Sequence, residues 1–169
     1  MNMLKENAKK AIRLGINDYY SSEQDREISS IRNIYAGLLL IFKDKLLRLS
    51  PLGSNEVLIK QVIQPQIDGS VIKFVGVGKK TVDFTQIKDR FKTLNIKADW
   101  KILGDIQNER NNIEHYYSST SKELFRKLIV LSFLVMQDFI KDELEEDPSD
   151  YIGVDSWKKL LEIKDVYDK

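Results

Sequence analysis

The sequence predicts a mainly α-helical bundle with a small β-meander inserted between its second and third helices. Three observations lead there. Apolar residues recur at helical spacing through most of the chain; residues 55–84 are instead rich in β-branched side chains punctuated by Gly and Pro; and "LFRKLIVLSFLVMQDFI" (124–140) is apolar nearly all round. A chain of 169 residues suits one domain carrying an insertion, and it buries enough core to need no covalent staples.

The first helix is expected over Met3–Tyr20, where Leu4, Ala8, Ala11, Ile12, Ile16 and Tyr19 form a stripe opposite a charged face. Ser21 and Gln24 form a capping box for a second helix. Its buried stripe is Ile28, Ile31, Tyr35, Leu38, Leu39, Phe42, Leu46 and Leu49, and Ser50-Pro51 ends it because the residue before proline is pushed out of helical geometry. From Asn55, "EVLIKQVIQPQIDGSVIKFVGVGKKTVDF" reads as two or three short strands, with Asp68-Gly69 and Gly78 as turn signals. Pro65 makes the first strand an edge strand or breaks it. The segment is either a structural flap or, through Lys60, Lys73, Lys79 and Lys80 on a shared face, a phosphate-contacting one. Thr85 is the candidate N-cap of a third helix, and a longer one starts near Ala98. Thr120 and Glu123 make a capping box for the apolar central helix, which the acidic "KDELEEDPSD" closes before Pro148. A last amphipathic piece, Trp157 to Tyr167, packs back onto the bundle.

Composition excludes several chemistries. With no cysteine there is no disulfide scaffold, zinc–thiolate site, iron–sulfur centre or thiol nucleophile. One histidine and no close acidic constellation argue against a transition-metal site. "GVGKK" lacks the spacing of a phosphate-binding loop, so no cofactor is expected. The 27 basic and 26 acidic residues nearly cancel, so any nucleic-acid contact must come from a local patch. The N-terminus lacks the apolar core of a signal peptide, and the longest apolar run, Leu128 to Met136, is too short to span a bilayer. The expectation is a soluble, cytoplasmic protein without membrane contact.

The chemistry concentrates in "GDIQNERNNIEHYYSS" (104–119), which holds the only histidine, His115. On a helix, Leu103, Ile106, Arg110, Ile113 and Tyr117 fall on one continuous stripe. Arg110 therefore belongs to an inward or interfacial face, where it needs a carboxylate, a phosphate or an interface partner. Glu114, four residues on, is one such carboxylate. Arg110 and His115 diverge by roughly 140° around the axis, so one helix cannot easily aim both at one phosphate. Two copies related by a two-fold axis can, each contributing an arginine and a histidine to one cleft. Such a pair supports metal-independent RNA cleavage. Histidine exchanges protons with the 2′-hydroxyl or the leaving 5′-oxygen, and arginine offsets charge on the pentacoordinate phosphorus. Asn111 can orient the histidine or a phosphate oxygen.

"RNNIEH", an arginine, a polar residue and a histidine late in a helical chain with a long apolar helix after it, resembles the signature of the HEPN superfamily. "SIRNIYAGLLLIFKDKLLRLSP" is similar to the long early helix of those domains. The likeness covers about two-thirds of the chain, and residues 55–84 depart from the minimal family pattern. The resemblance implies a dimeric, metal-independent endoribonuclease acting as a toxin or in phage defence, with Arg110, Asn111 and His115 at the matching positions. "RNNIEHYY" also resembles the R-x4-H-x-Y form of toxins whose nucleotidyltransferase antitoxin adenylylates the tyrosine; the position that matches is Tyr117, which also lies on the apolar stripe. Some members have lost catalysis and act as dimeric interaction or regulatory modules.

Overall fold

A computed structural model of the chain describes residues 2–23, 26–116 and 122–169, with the backbone alone for 114–116. Among the described residues the elements run α1 (Met3–Tyr20), α2 (Arg26–Leu49), β1 (Lys60–Asp68), β2 (Val71–Thr81), α3 (Phe84–Leu94), α4 (Trp100–Tyr116), α5 (Lys122–Asp142), α6 (Pro148–Ile152) and α7 (Val154–Asp168). The fold is mainly helical, with one small antiparallel sheet between α2 and α3. No described helix is long and apolar enough to cross a membrane. Contacts divide the chain into two compact units: residues 1–41 with 98–169, and residues 42–97. The second unit thus starts earlier and ends later than the insertion expected over 55–84.

In the first unit, α1 opens on Asn2, whose side chain accepts from the Lys5 amide, and buries Ala8, Ile12, Gly15, Ile16 and Tyr19. It approaches α2 closely at two glycines. A Cβ on Gly15 would stand 2.7 Å from Ile34 Cγ1, and one on Gly37 2.7 Å from Ile12 Cγ1. Glycine costs a helix interior about 1 kcal/mol, and here close approach is what it provides. Ser30 Oγ uses that approach to donate to the Gly15 carbonyl at 2.6 Å. At the end of α1, Asp18 accepts from Ser29 Oγ (2.6 Å) and Asn33 Nδ2 (3.1 Å) of α2. α5 is the buried centre, covering Phe125, Leu128, Ile129, Val130, Phe133, Val135, Met136, Phe139 and Ile140, as its apolar circumference requires. Phe133 meets Trp157 of α7 with ring centroids 5.0 Å apart. Pro148 starts α6 rather than merely following a helix, because Asp147 caps it by accepting from the Ser149 and Asp150 amides. The capping residues Gln24 and Thr120 lie outside the described residues.

In the second unit the end of α2 and α3 share a core of Phe42, Leu46, Ile87 and Phe91, with Phe42 and Phe91 edge to face at 5.4 Å. Asp44 is fully buried and receives Arg48 Nε (3.1 Å) and Nη2 (2.9 Å). Arg90 Nη1 donates to the Leu58 carbonyl at 2.5 Å, and burial lowers its pKa. Lys43 donates to Thr81 Oγ1 at 3.0 Å, and burial lowers its pKa against the pull of Asp83. The N-cap of α3 is Asp83, not Thr85. The Asp83 carboxylate takes the Gln86 amide and the Gln86 side chain returns to the Asp83 amide, a reciprocal pair Thr85 cannot make from inside the first turn.

The expected meander is a single hairpin. Asp68 faces Val71 across Gly69-Ser70, with Gly69 at φ +65°, the backbone a two-residue turn needs at its first position. Two steps along β1, from Val62 to Lys60, answer four along β2, from Val77 to Thr81. The extra residues bulge at Gly78, whose φ is +80°. Pro65 sits in an unbroken strand opposite Phe74. The Gly76 amide donates outward to the Ser54 carbonyl at 2.8 Å, so by alternation Phe74 and Ile72 also face away from β1. Pro65, paired with Phe74, then directs its missing N–H to the outer edge, where no ladder bond is lost.

Candidate functional site

α4 carries the sequence motif, and the expected stripe packs inward as far as Ile113. Leu103, Ile106 and Ile113 are buried, and Arg110 between them is half-buried with its Nε inside. Its guanidinium carbon stands 4.7 Å from the centre of the Tyr35 ring on α2, a cation–π stack. Arg110 Nη1 also points to Asn111 Oδ1 at 3.4 Å. A cation–π contact leaves the positive charge of an arginine in place, so ring packing and phosphate recognition are compatible in one side chain.

Tyr35 is the residue that sequence reasoning did not connect with this site. It appeared only as one member of the α2 stripe, although an aromatic on an inward face is the natural support for an arginine that must be buried. It is 5% exposed and its hydroxyl is buried with no hydrogen-bond partner among the described residues. Burial pushes its pKa up to about 12, and the positive charge of Arg110 pulls the other way. A phenol so placed stays protonated at neutral pH and contributes its ring.

His115 continues α4 as backbone, five residues past Arg110; its side chain, the side chain of Glu114, and Tyr117 lie outside the described residues. Asp105 is exposed and Glu109 half-buried on the same helix; both line a cavity of about 240 Å³ with Asn108, Lys127 and Leu131.

The four lysines do not form one array. Lys60 is 14% exposed with Glu56 at 3.8 Å, whereas Lys73 is 40% exposed with Asp68 at 3.4 Å. Lys79 and Lys80 are exposed on β2 beyond the bulge. All four belong to the second unit.

No protein-family model matches the chain, and comparison with curated proteins and with solved structures returns no match.

Proposed function

We propose that the protein is a metal-independent endoribonuclease of HEPN type, acting as a toxin or phage-defence effector through a site shared by two copies. The observation that carries the reading is Arg110: a charged side chain on the buried stripe of α4, stacked on Tyr35 and directed toward Asn111. An arginine held on an inward stripe by an aromatic ring keeps its positive charge, which suits a role in binding phosphate.

In the proposed reaction one His115 takes the proton from a ribose 2′-hydroxyl, whose oxygen attacks the adjacent phosphorus. The bond to the 5′-oxygen breaks, and the same imidazole, now protonated, gives the proton to that leaving oxygen. The products are a 2′,3′-cyclic phosphate and a free 5′-hydroxyl, with no water consumed and no metal required. Arg110 holds the non-bridging oxygens and offsets their growing charge, and Asn111 orients the arginine or the histidine.

The test is RNA incubated with purified protein in EDTA. Cleavage should persist in wild type and vanish in Arg110→Ala and in His115→Ala. Mixing the two variants should restore part of the activity, because a mixed dimer still brings one arginine and one histidine together from different chains. RNA left intact by wild type overturns the enzymatic reading, and failure of the mixture to recover overturns the shared site.

A second reading, a non-catalytic dimeric interaction module, has one observation in its favour. Asp105 and Glu109 sit beside the motif and repel RNA phosphate. In that case Arg110→Ala weakens dimerisation in light scattering and no nuclease activity accompanies it.

A further inference from the structure

The second unit exposes a cluster of large apolar side chains. On one face of the hairpin, Ile63 (40%), Ile67 (77%), Ile72 (66%) and Phe74 (60%) are open to solvent. Ile63, Lys73 and Phe74 also line a groove of about 570 Å³ with Leu49, Leu52, Val57 and Leu94. Leu52 projects from the groove rim fully exposed. Apolar surface gathered this way marks an interaction site rather than scattered exposure.

The strand edges narrow what can bind. A two-stranded sheet has two free edges, and both are usually blunted. Pro65 removes an outward donor from β1. On β2, Ser54 and Asn55 already occupy Gly76, whose carbonyl accepts from Asn55 Nδ2 at 2.7 Å. The outward backbone groups of Ile72 and Phe74 are the stretch of β2 left for a new strand, and they run beside the groove.

A second copy of this chain is a poor occupant. Antiparallel pairing of two β2 edges through Ile72 and Phe74 sets Lys73, which also lines the groove, directly opposite its counterpart, at the close spacing where like charges destabilise. A strand carrying a carboxylate at that position removes the conflict and shares the cation that Asp68 now holds at 3.4 Å. The residues on either side of that carboxylate would point toward the groove, whose lining is mostly apolar.

We propose that the β2 edge at Ile72–Phe74, with its adjoining groove, docks an extended segment of a partner protein in which apolar residues alternate with acidic ones. Backbone pairing supplies affinity, the groove selects the apolar side chains, and Lys73 selects the charge.

The probe is an acetylated heptapeptide of alternating valine and glutamate, titrated into the full-length protein by calorimetry. A valine–lysine heptapeptide serves as the charge control. The glutamate peptide should bind about tenfold more tightly than the lysine peptide, and Lys73→Glu should reverse the order. Leu52→Asp, at a fully exposed position that folding does not need, should weaken binding about tenfold. N-methylation of the peptide at alternate amides should abolish binding in one of the two registers while leaving the protein untouched. Equal affinity for the two peptides, or indifference to N-methylation in both registers, overturns the proposal. So does a wild-type dimer in light scattering that Phe74→Ser dissociates, since the occupant is then a second copy. None of these readouts depends on RNA cleavage.

Discussion

Replacing Tyr35 by Phe should make the protein more stable. The Tyr35 hydroxyl is buried without a hydrogen-bond partner among the described residues, so folding strips its water and returns nothing. That penalty is about 1–3 kcal/mol for a neutral group, and phenylalanine removes it while keeping the ring 4.7 Å from Arg110. A gain of about 1 kcal/mol is expected, a rise in Tm of about 2–4 °C for a chain of this size. The effect grows with pH in a calculable way. The folded-state pKa is raised from 10.0 to about 12, so the folded protein keeps a proton that the unfolded chain gives up between those values. The stability this represents is complete below pH 10 and is lost as pH rises toward 12. At pH 11 the loss amounts to about 1.4 kcal/mol, present in wild type and absent in the variant. Urea unfolding of both proteins at pH 8.5 and pH 11 measures it. The variant should lead by about 1 kcal/mol at the lower pH and by more than 2 kcal/mol at the higher. A variant that is less stable than wild type at pH 8.5, or a gap that does not widen with pH, would show that the hydroxyl is paired or hydrated and refute the reasoning.

Two further outcomes concern the second unit. Arg48→Met removes the bidentate partner of the fully buried Asp44 and should destabilise by about 3 kcal/mol, read from urea unfolding; Asp44→Asn in the same background should recover part of it by removing a buried charge. Asp83→Ala should cost about 1 kcal/mol through loss of the capping box, whereas Thr85→Ala should stay within about 0.5 kcal/mol of wild type; equal losses would return the cap to Thr85.

The helical skeleton was legible because its signals are local. The stripe of α1 and the apolar circumference of α5 need only a period to be read. α2 was harder: Ile34 and Ile41 are buried beside the expected Tyr35 and Phe42, because a contiguous run such as "GLLLIF" fits burial on more than one side and a single stripe undercounts it. Leu49, counted in that stripe, is 45% exposed on the groove. Asp44 offered no sign of burial beyond an arginine four residues later, a spacing common on solvated helices. The glycines at 15 and 37 were readable in principle, since mid-helix glycine asks for a close neighbour, but the sequence does not say which helix that is. The hairpin turn followed from Asp68-Gly69. Its free edge did not, because edge exposure depends on the Ser54–Asn55 loop reaching Gly76, a tertiary fact.

The same division applies to Arg110. Its place on the inward stripe was a matter of counting by threes and fours, and its neighbour Tyr35, seventy-five residues away in sequence, was not. That neighbour changes how the arginine should be understood. An aromatic ring holds a guanidinium without neutralising its charge. The ring's own hydroxyl, by contrast, is buried and has no hydrogen-bond partner among the described residues, a local cost of the kind found at residues kept for what they bind. This makes Tyr35→Phe informative in a second assay: a variant that gains stability and keeps RNA cleavage assigns the ring to Arg110 alone, while one that gains stability and loses cleavage assigns the hydroxyl to the reaction.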